Sequence, residues 1–397
     1  MDEVHKNVKY GNIIFNMAFV LYFIQAFLNT TMYTEIINNN YFDIINIICI
    51  LLILVKVIFF DNYDMFYIIS AFYLTILVMV IFYTSNDHTP LSAVLFILGA
   101  RNIDFSKFLK LYFTISFVLM ILVILSSKVG WIINLTYYRG TTMRQALGFV
   151  YPTNFAAHVL SIFVVYLLIR NKRITVVELL IMLIVTWRME VLTDARLDVA
   201  AMMIAVVIMV FYKYNDEWFN KSIFNFKLLI ILWPLITGIL VSLLSIFYRN
   251  TNSLMLRLNY IFSNRLYFGH NAYLKYGISI FGQKVEQSGL GGLSGFNGTN
   301  DTLYMLNYSY IDSSFFRILM LNGIIFFITI LVGSCMINKR LFHYSRVLYL
   351  IYFALIVGCS IVDQHYLEIS FNPFIVIAFA NIATKGVSKS KERGMSL

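Results

Sequence analysis

Charge is scarce in this chain. Only 13% of its 397 residues are Asp, Glu, Lys or Arg, where a soluble globular domain carries about 25%. Cysteine is scarcer still. Cys49, Cys335 and Cys359 all lie inside apolar runs, so neither a disulfide frame nor a zinc site is expected. No small-residue cleavage site follows the first apolar run, near Asn12, so that run reads as a retained helix. The glycine-rich stretch "GLGGLSGFNGTND" (289–301) lacks a Gly-Lys-Ser/Thr ending, which excludes a nucleotide P-loop and leaves a lid or linker. No internal repeat and no soluble insert of domain size is visible.

What fills the sequence is apolar. Hydrophobic residues make up 60% of it and come in blocks near the length that crosses a bilayer core of about 30 Å. The runs fall at roughly 12–31, 41–60, 64–84, 90–100, 108–126, 152–169, 174–192, 197–212, 228–247, 312–337, 347–362 and 369–384. They predict an all-α polytopic membrane protein of about twelve spans, with residues 1–397 forming a single membrane domain. The run at 90–100 is short enough to be re-entrant, which would leave eleven. A β-barrel would show shorter alternating segments.

The formal charge of +10 is distributed by side rather than gathered into a nucleic-acid patch, so no nucleic-acid partner is expected. Counted from a cytosolic N-terminus, the inner segments hold Lys6, Lys9, Arg101, Lys107 and Lys110. They continue with "RNKR" (170–173), Lys213, Lys221, Lys227, Lys339, Arg340 and Arg346, then the tail with Lys385, Lys389, Lys391 and Arg393. The outer loops "TTMYTEIINNNYFD" and "SNDHTP" hold no lysine or arginine. Both termini are therefore expected in the cytosol.

Basic residues that break this rule sit outside. They are Lys128, Arg139 and Arg144 in one loop, Arg188 and Arg196 in the turn "TWRMEVLTDARLD", and Arg249, Arg257, Arg265, Lys275 and Lys284 in the long loop 249–311, between the ninth and tenth spans. An anion on that side is the economical reason to keep them there. Leu254, Leu258, Ile261, Phe262 and Leu266, at helical spacing, predict an amphipathic interfacial helix in the stretch from Arg249 to about Phe281. On such a helix Arg249, Arg257 and Arg265 would form a slanted row, gripping a dedicated anion or snorkelling to lipid phosphates.

Several acidic and aromatic residues have two readings each. The charges of "TWRMEVLTDARLD" either close a helical hairpin as ion pairs, Arg196 with Asp194 or Asp198 and Arg188 with Glu190, or floor the outer site. Asp312 either caps the tenth span or faces the arginines as base or counter-ion. Asp363, His365 and Glu368 form at most a weak divalent-ion signal, and no metal is assigned. His270 is the other titratable group near the arginines, whereas His158 reads as a satisfied core histidine. Asn297, Asn300 and Asn307 each open an N-x-S/T triplet, expected by chance in a chain so rich in asparagine.

With those residues in view, the sequence resembles the Wzy-type polysaccharide polymerases, particularly the capsule and exopolysaccharide polymerases of Gram-positive bacteria. The likeness lies in the layout and in "GFVYPTN", "TDARLD", "RLYFGHNAYLKYGISIFG" and "IDSSFFRILMLNGII". It implies a GT-C-like glycosyltransferase of the plasma membrane that joins lipid-linked oligosaccharide repeats, including O-antigen repeats, on the outer face. Such an enzyme cleaves a sugar–undecaprenyl pyrophosphate bond and transfers the glycan to an acceptor sugar hydroxyl, with inversion and without a metal or other cofactor. Its partners would be the polyprenyl-pyrophosphate-linked oligosaccharide, the lipid bilayer, a flippase and a chain-length regulator. Family arginines stand in an Arg-x10-Gly setting; here Arg257 and Arg265 precede Gly269 and Gly277 with one residue more.

On this reading Arg257 and Arg265 bind the pyrophosphate, with Arg196, Arg139 and Arg249 as further candidates. Asp312, then His270, is the base, and Tyr267, Asn271 and Tyr273 hold sugar rings. A flippase for the same lipids and an O-antigen-type ligase are the alternatives.

Overall fold

A computed structural model describes residues 2–298 and 308–383. The basic tail beyond 383, Asn300, Asn307 and the end of the glycine-rich stretch lie outside the described residues. The chain is mostly helical. Helices α1 (Asp2–Leu28), α2 (Asn39–Phe60), α3 (Met65–Ser85), the short α4 (Thr89–Gly99) and α5 (Phe105–Val129) come first. A two-stranded ribbon follows, β1 (Thr136–Arg139) with β2 (Thr142–Gln145), and then α6 (Pro152–Arg170), α7 (Val176–Thr193), α8 (Arg196–Tyr214), α9 (Asp216–Asn225) and α10 (Lys227–Ile246). The long loop carries α11 (Ser253–Ile261), α12 (Arg265–Tyr276) and α13 (Gly292–Gly298). Last come α14 (Ser314–His343) and α15 (Val347–Cys359).

Eight of the described helices are long and apolar enough to cross a membrane. In α6, 67% of the apolar window is buried, against 22% in α2 and in α3; α6 is central, and the other two turn large apolar side chains such as Leu51, Phe59, Phe72 and Ile76 outward. That surface suits lipid, where backbone groups must be satisfied within helices. Helix α1 packs by its four-residue phenylalanine ladder, Phe15, Phe19, Phe23 and Phe27, all fully buried. This spacing keeps one face toward the core, and the Phe19 ring meets that of Phe108 on α5 at 4.7 Å.

Not every one of the twelve apolar runs forms a long apolar helix among the described residues. The runs at 90–100 and 347–362 form helices of 11 and 13 residues, and α7, with three charges, is not among the eight. The run at 369–384 is not an α-helix at all; it contains a 3-10 turn, Pro373–Ala378. Proline lacks an N–H and disfavours helical backbone in the preceding residue. The segment is nevertheless buried from Ile369 to Ile377, and side chains take up its carbonyls. Tyr112 Oη donates to Ser370 O at 2.5 Å, Arg340 to Ile377 O and Ala378 O, and Arg346 Nε to Ile382 O at 2.9 Å. Irregular backbone at membrane depth is tolerated where protein surrounds it.

Contacts gather the expected outer loops at one end of the bundle. Val150 N donates to Thr30 O, Gly292 N to Val150 O, and Thr84 Oγ1 to Phe281 O. At the opposite end, Phe105 N donates to Asn381 O, and Arg101 pairs with Asp64. The long loop is anchored where α14 is broken by a π-turn, Ile318–Asn322. There Gln283 N donates to Leu321 O and Ile324 N to Ser279 O. Gly282 and Gly323 both have positive φ, and a Cβ on Gly323 would stand 2.3 Å from Gly282 N, so only glycine permits this approach.

Candidate functional site

The loop end of the bundle is organised around the start of α8. Helix α7 opens with a capping box, Thr175 and Glu178, and closes at Asp194, whose φ of 44° is left-handed. This turn reverses the chain into α8 and leaves the Asp194 carboxylate between two arginines. Arg139 Nη1 lies 3.0 Å from Oδ2 and 2.9 Å from the Asp194 carbonyl, while Arg196 Nε lies 3.2 Å from Oδ1. The hairpin-closing ion pair was legible in the sequence; the second arginine, Arg139, comes from the ribbon. Arg188 instead lies over the Trp187 ring.

Ribbon register explains Arg139. Gly140 takes positive φ at the turn, and Tyr137 pairs with Arg144 and Arg139 with Thr142. Cross-strand partners share a face, as do alternate residues along a strand. Tyr137, Arg139 and Arg144 therefore point the same way. Arg144 is 2% exposed. Its Nε donates to Thr193 O at 2.6 Å and its Nη1 points to the Tyr151 hydroxyl at 3.5 Å, but Nη2 has no partner among the described residues. Burial pushes this guanidinium below its ordinary pKa; Tyr151 opposes the shift and Arg139 adds to it. A buried cation with a spare donor is costly unless an anion meets it. Sequence reasoning grouped Arg144 with the outward basic residues but did not place it in the site. Recognising the hairpin "TYYRGTTMRQ" would have done so.

The second half of the site comes from the long loop. Arg265 opens α12, and its Nη2 lies 3.3 Å from Asp312 Oδ2, just before α14. Tyr308 donates to the same carboxylate oxygen at 3.3 Å. Asp312 thus faces the arginine instead of capping α14, whose cap residue is Ser313. Burial lifts the Tyr308 phenol, Asp312 adds to the rise, Arg265 opposes it, and Tyr151 stands within electrostatic range. On the other side Tyr260 of α11 stands beside Arg196. Arg265, Asp312, Tyr308, Tyr151, Arg144, Asp194 and Arg196 therefore form a continuous rim.

The expected row of three arginines is not formed. Ser263 and Asn264 both have positive φ and break the predicted helix into α11 and α12, so Arg249 precedes α11, Arg257 lies within it and Arg265 starts the next helix. Arg249 and Arg257 are exposed and have no ion pair among the described residues. His270 faces away from Arg265 by its position on α12. Its Nδ1 lies 3.1 and 3.0 Å from the carbonyls of Ser245 and Ile246, tying α12 to α10. Tyr267 and Asn271 share one side of α12 and Tyr273 lies on another, so these three do not converge on Arg265. Ring contacts nearer Asp312 come from Phe268, 4.6 Å from Tyr308, and from Tyr137, 4.6 Å from Tyr151.

Beneath the rim lies a buried acidic cluster. Asp198 of α8 is 5% exposed and within electrostatic range of Asp363, His365 and Arg265. His365 Nδ1 lies 2.9 Å from Glu368 and Nε2 3.6 Å from Asp363. Burial pulls the imidazolium pKa down, but Glu368 and then Asp363 outweigh it and lift the value to about 9. His365 lies between the carboxylates as their counter-ion, and among the described residues no three His, Cys, Asp or Glu groups converge as metal ligands. Its ring stacks on Phe371 at 3.7 Å, and Phe371 stacks on fully buried His158 at 3.9 Å. His158 Nε2 pairs with Thr30 Oγ1 at 2.9 Å, whereas its Nδ1 is buried with no partner among the described residues, so the expected core histidine is only half satisfied. The glycine-rich stretch is partly helical and docked, with Phe296 against Tyr137 at 5.4 Å.

No family model, curated protein or solved structure matches this chain.

Proposed function

We propose that this protein is a membrane glycosyltransferase that polymerises lipid-linked oligosaccharide repeats on the outer face of the plasma membrane, with both termini cytosolic. The observation that carries the reading is the rim just described. Four guanidinium groups, Arg139, Arg144, Arg196 and Arg265, are held with the carboxylates of Asp194 and Asp312 at the end where the outer loops gather. The cations outnumber the rim carboxylates, and one is buried with a donor that has no partner among the described residues. That excess suits a diphosphate, whose oxygens accept paired N–H bonds.

In the proposed reaction the acceptor hydroxyl oxygen attacks the anomeric carbon of the donor. Its proton passes to the Asp312 carboxylate. The bond from that carbon to the pyrophosphate oxygen breaks, and its electron pair leaves on the polyprenyl diphosphate. Charge grows on the departing oxygens, where fixed guanidinium groups stabilise it most in a partly dry site. Arg265 touches both halves of this chemistry, because the diphosphate competes with Asp312 for the same fork. Tyr308 keeps the carboxylate oriented while Arg265 turns to the leaving group. Inversion without a metal and a GT-C-like architecture follow from the resemblance to Wzy-type polymerases.

The test uses purified protein in liposomes with one synthetic lipid-linked repeat. A ladder of products supports polymerisation. Transfer only to a foreign lipid acceptor means a ligase, and movement of the substrate across the bilayer without new glycosidic bonds means a flippase. Either of those outcomes removes the proposal.

A further inference from the structure

A groove of about 390 Å³ opens between α8, α10 and α15. Its upper end is formed by Leu197 and Cys359, its wall by Ala200 and Ile204, and its lower end by Ile208 and Trp233. Leu197 sits between Arg196 of the rim and buried Asp198, and Cys359 also lines a small cavity that Asp363 and His365 border. The groove therefore begins at the candidate anion site. From Leu197 to Ile208 it descends about 16 Å along α8 at 1.5 Å per residue, into the depth occupied by the apolar helices.

Its chemistry is that of a hydrocarbon slot. All the lining residues are apolar in character, and the one polar group among their side chains that needs a partner, the Trp233 indole N–H, donates to Ala354 O at 3.0 Å. The Trp233 ring is thus left to present an apolar surface. Small residues keep the channel open. Nothing lies within 4 Å of where a Cβ on Gly358 would stand, and Ala200, Ala201 and Ala354 lie on the two facing helices. At its mouth Leu197 follows Arg196 in sequence, and Cys359 O accepts from Val362 N, whose own carbonyl lies 3.4 Å from Arg265 Nε; a groove so placed matches an amphiphile with an anionic head and a long apolar chain.

We propose that the groove holds the first isoprene units of the donor's polyprenyl chain, with the diphosphate at the arginines above. The inference rests on the reading that the donor is a polyprenyl diphosphate, and it deepens that reading by assigning the chain's path. The chain fixes the diphosphate at the rim by binding energy drawn from a remote, non-reacting part of the substrate. Discrimination by chain length follows, because a short prenyl diphosphate leaves the lower groove empty.

The experiment measures binding to the full chain in nanodiscs, with labelled undecaprenyl diphosphate and labelled geranyl diphosphate as probes. Gly358→Phe places a ring in the groove at a helical position with open space, and Ala200→Phe does the same from an exposed site on α8. Both variants are first checked for a monodisperse peak equal to wild type, so that at least one folded plug is compared. The plugs should weaken undecaprenyl diphosphate by about tenfold or more and leave geranyl diphosphate unchanged. Wild-type affinity for the long chain in a folded plug overturns the proposal. Equal competition by phosphatidylglycerol also overturns it, because the groove would then be an ordinary lipid contact. A plug effect that persists while Arg265→Ala leaves both probes unaffected keeps the groove but removes the diphosphate reading. The two failures are therefore distinguishable.

Discussion

Arg265 and Asp312 meet at 3.3 Å although most of the long loop lies between them. One is the first residue of α12 and the other lies just ahead of α14. This contact ties the start of α12 to the entry of α14 and sets the cation proposed for the leaving group against the carboxylate proposed as base.

Arg265→Ala should abolish polymer while the protein stays at normal membrane levels, because the side chain is partly exposed and not part of the core. Arg265→Lys should rescue poorly, since a point charge lacks the bidentate fork. Asp312→Asn should also remove polymer but should strengthen, or leave unchanged, the binding of undecaprenyl diphosphate, because Arg265 is released from its partner. Product ladders and binding isotherms on the same preparations check all three. Wild-type chain lengths from Arg265→Ala would remove that residue from the site.

Arg144 makes a different kind of prediction. Its Nη2 lacks a partner among the described residues, and its Nε is spent on Thr193 O. If the free donor serves the diphosphate, Arg144→Lys should weaken pyrophosphate binding roughly tenfold or more, the scale of one charge-assisted hydrogen bond. The apparent melting temperature without ligand should fall less than the buried position suggests, because lysine still offers Thr193 a donor. The check is the ligand-induced rise in melting temperature. An equal rise in wild type and variant would leave Arg144 as scaffold only.

These residues show what the sequence could carry. Run length was enough for the long helices, and charge bias was enough to sort loops into two groups that contacts now place at opposite ends. Local conformation was not legible. Ser263 and Asn264 turn the chain by positive φ, and single left-handed residues leave no periodic trace, so one amphipathic helix was expected where two lie. The final run was apolar enough for a span, yet Pro373 and the donors of Arg340, Arg346 and Tyr112 make a buried irregular path instead. Those arginines, counted as inner-side charges, also hold backbone. Tertiary partners of this kind cannot be read from spacing.

His365 gives a pH dependence with a definite sign. Its pKa rises from an ordinary 6.5 to about 9 because Glu368, Asp363 and Asp198 on α8 together outweigh burial. A raised value means that the folded state binds the proton more tightly than the unfolded chain. The stabilisation is full below about pH 6.5 and is lost as pH rises through about 9. Unfolding in detergent should show stability falling by up to about 1.4 kcal/mol per pH unit across that window. His365→Gln should start less stable and show a flatter profile. Parallel slopes for the two proteins would mean that the imidazolium is not the group responsible.

The last prediction concerns the opposite end, where Lys56 sits in the apolar run of α2 and is 1% exposed. Its Nζ lies 2.6 and 2.7 Å from the two Asp61 oxygens and 2.6 Å from Arg101 O, and Asn102 Nδ2 approaches Asp61 at 3.4 Å. This network pins the end of α2 to the chain that follows α4. Removing one member of a buried pair strands the other and costs about 3–5 kcal/mol, whereas replacing both by apolar residues is often close to neutral. Lys56→Met and Asp61→Leu should each lower the apparent melting temperature sharply, and the double variant should recover much of the loss. Recovery should remain partial, because Arg101 O still loses its donor. If the two losses simply add in the double variant, the lysine and aspartate act independently, and the tie between α2 and α4 must come from packing alone.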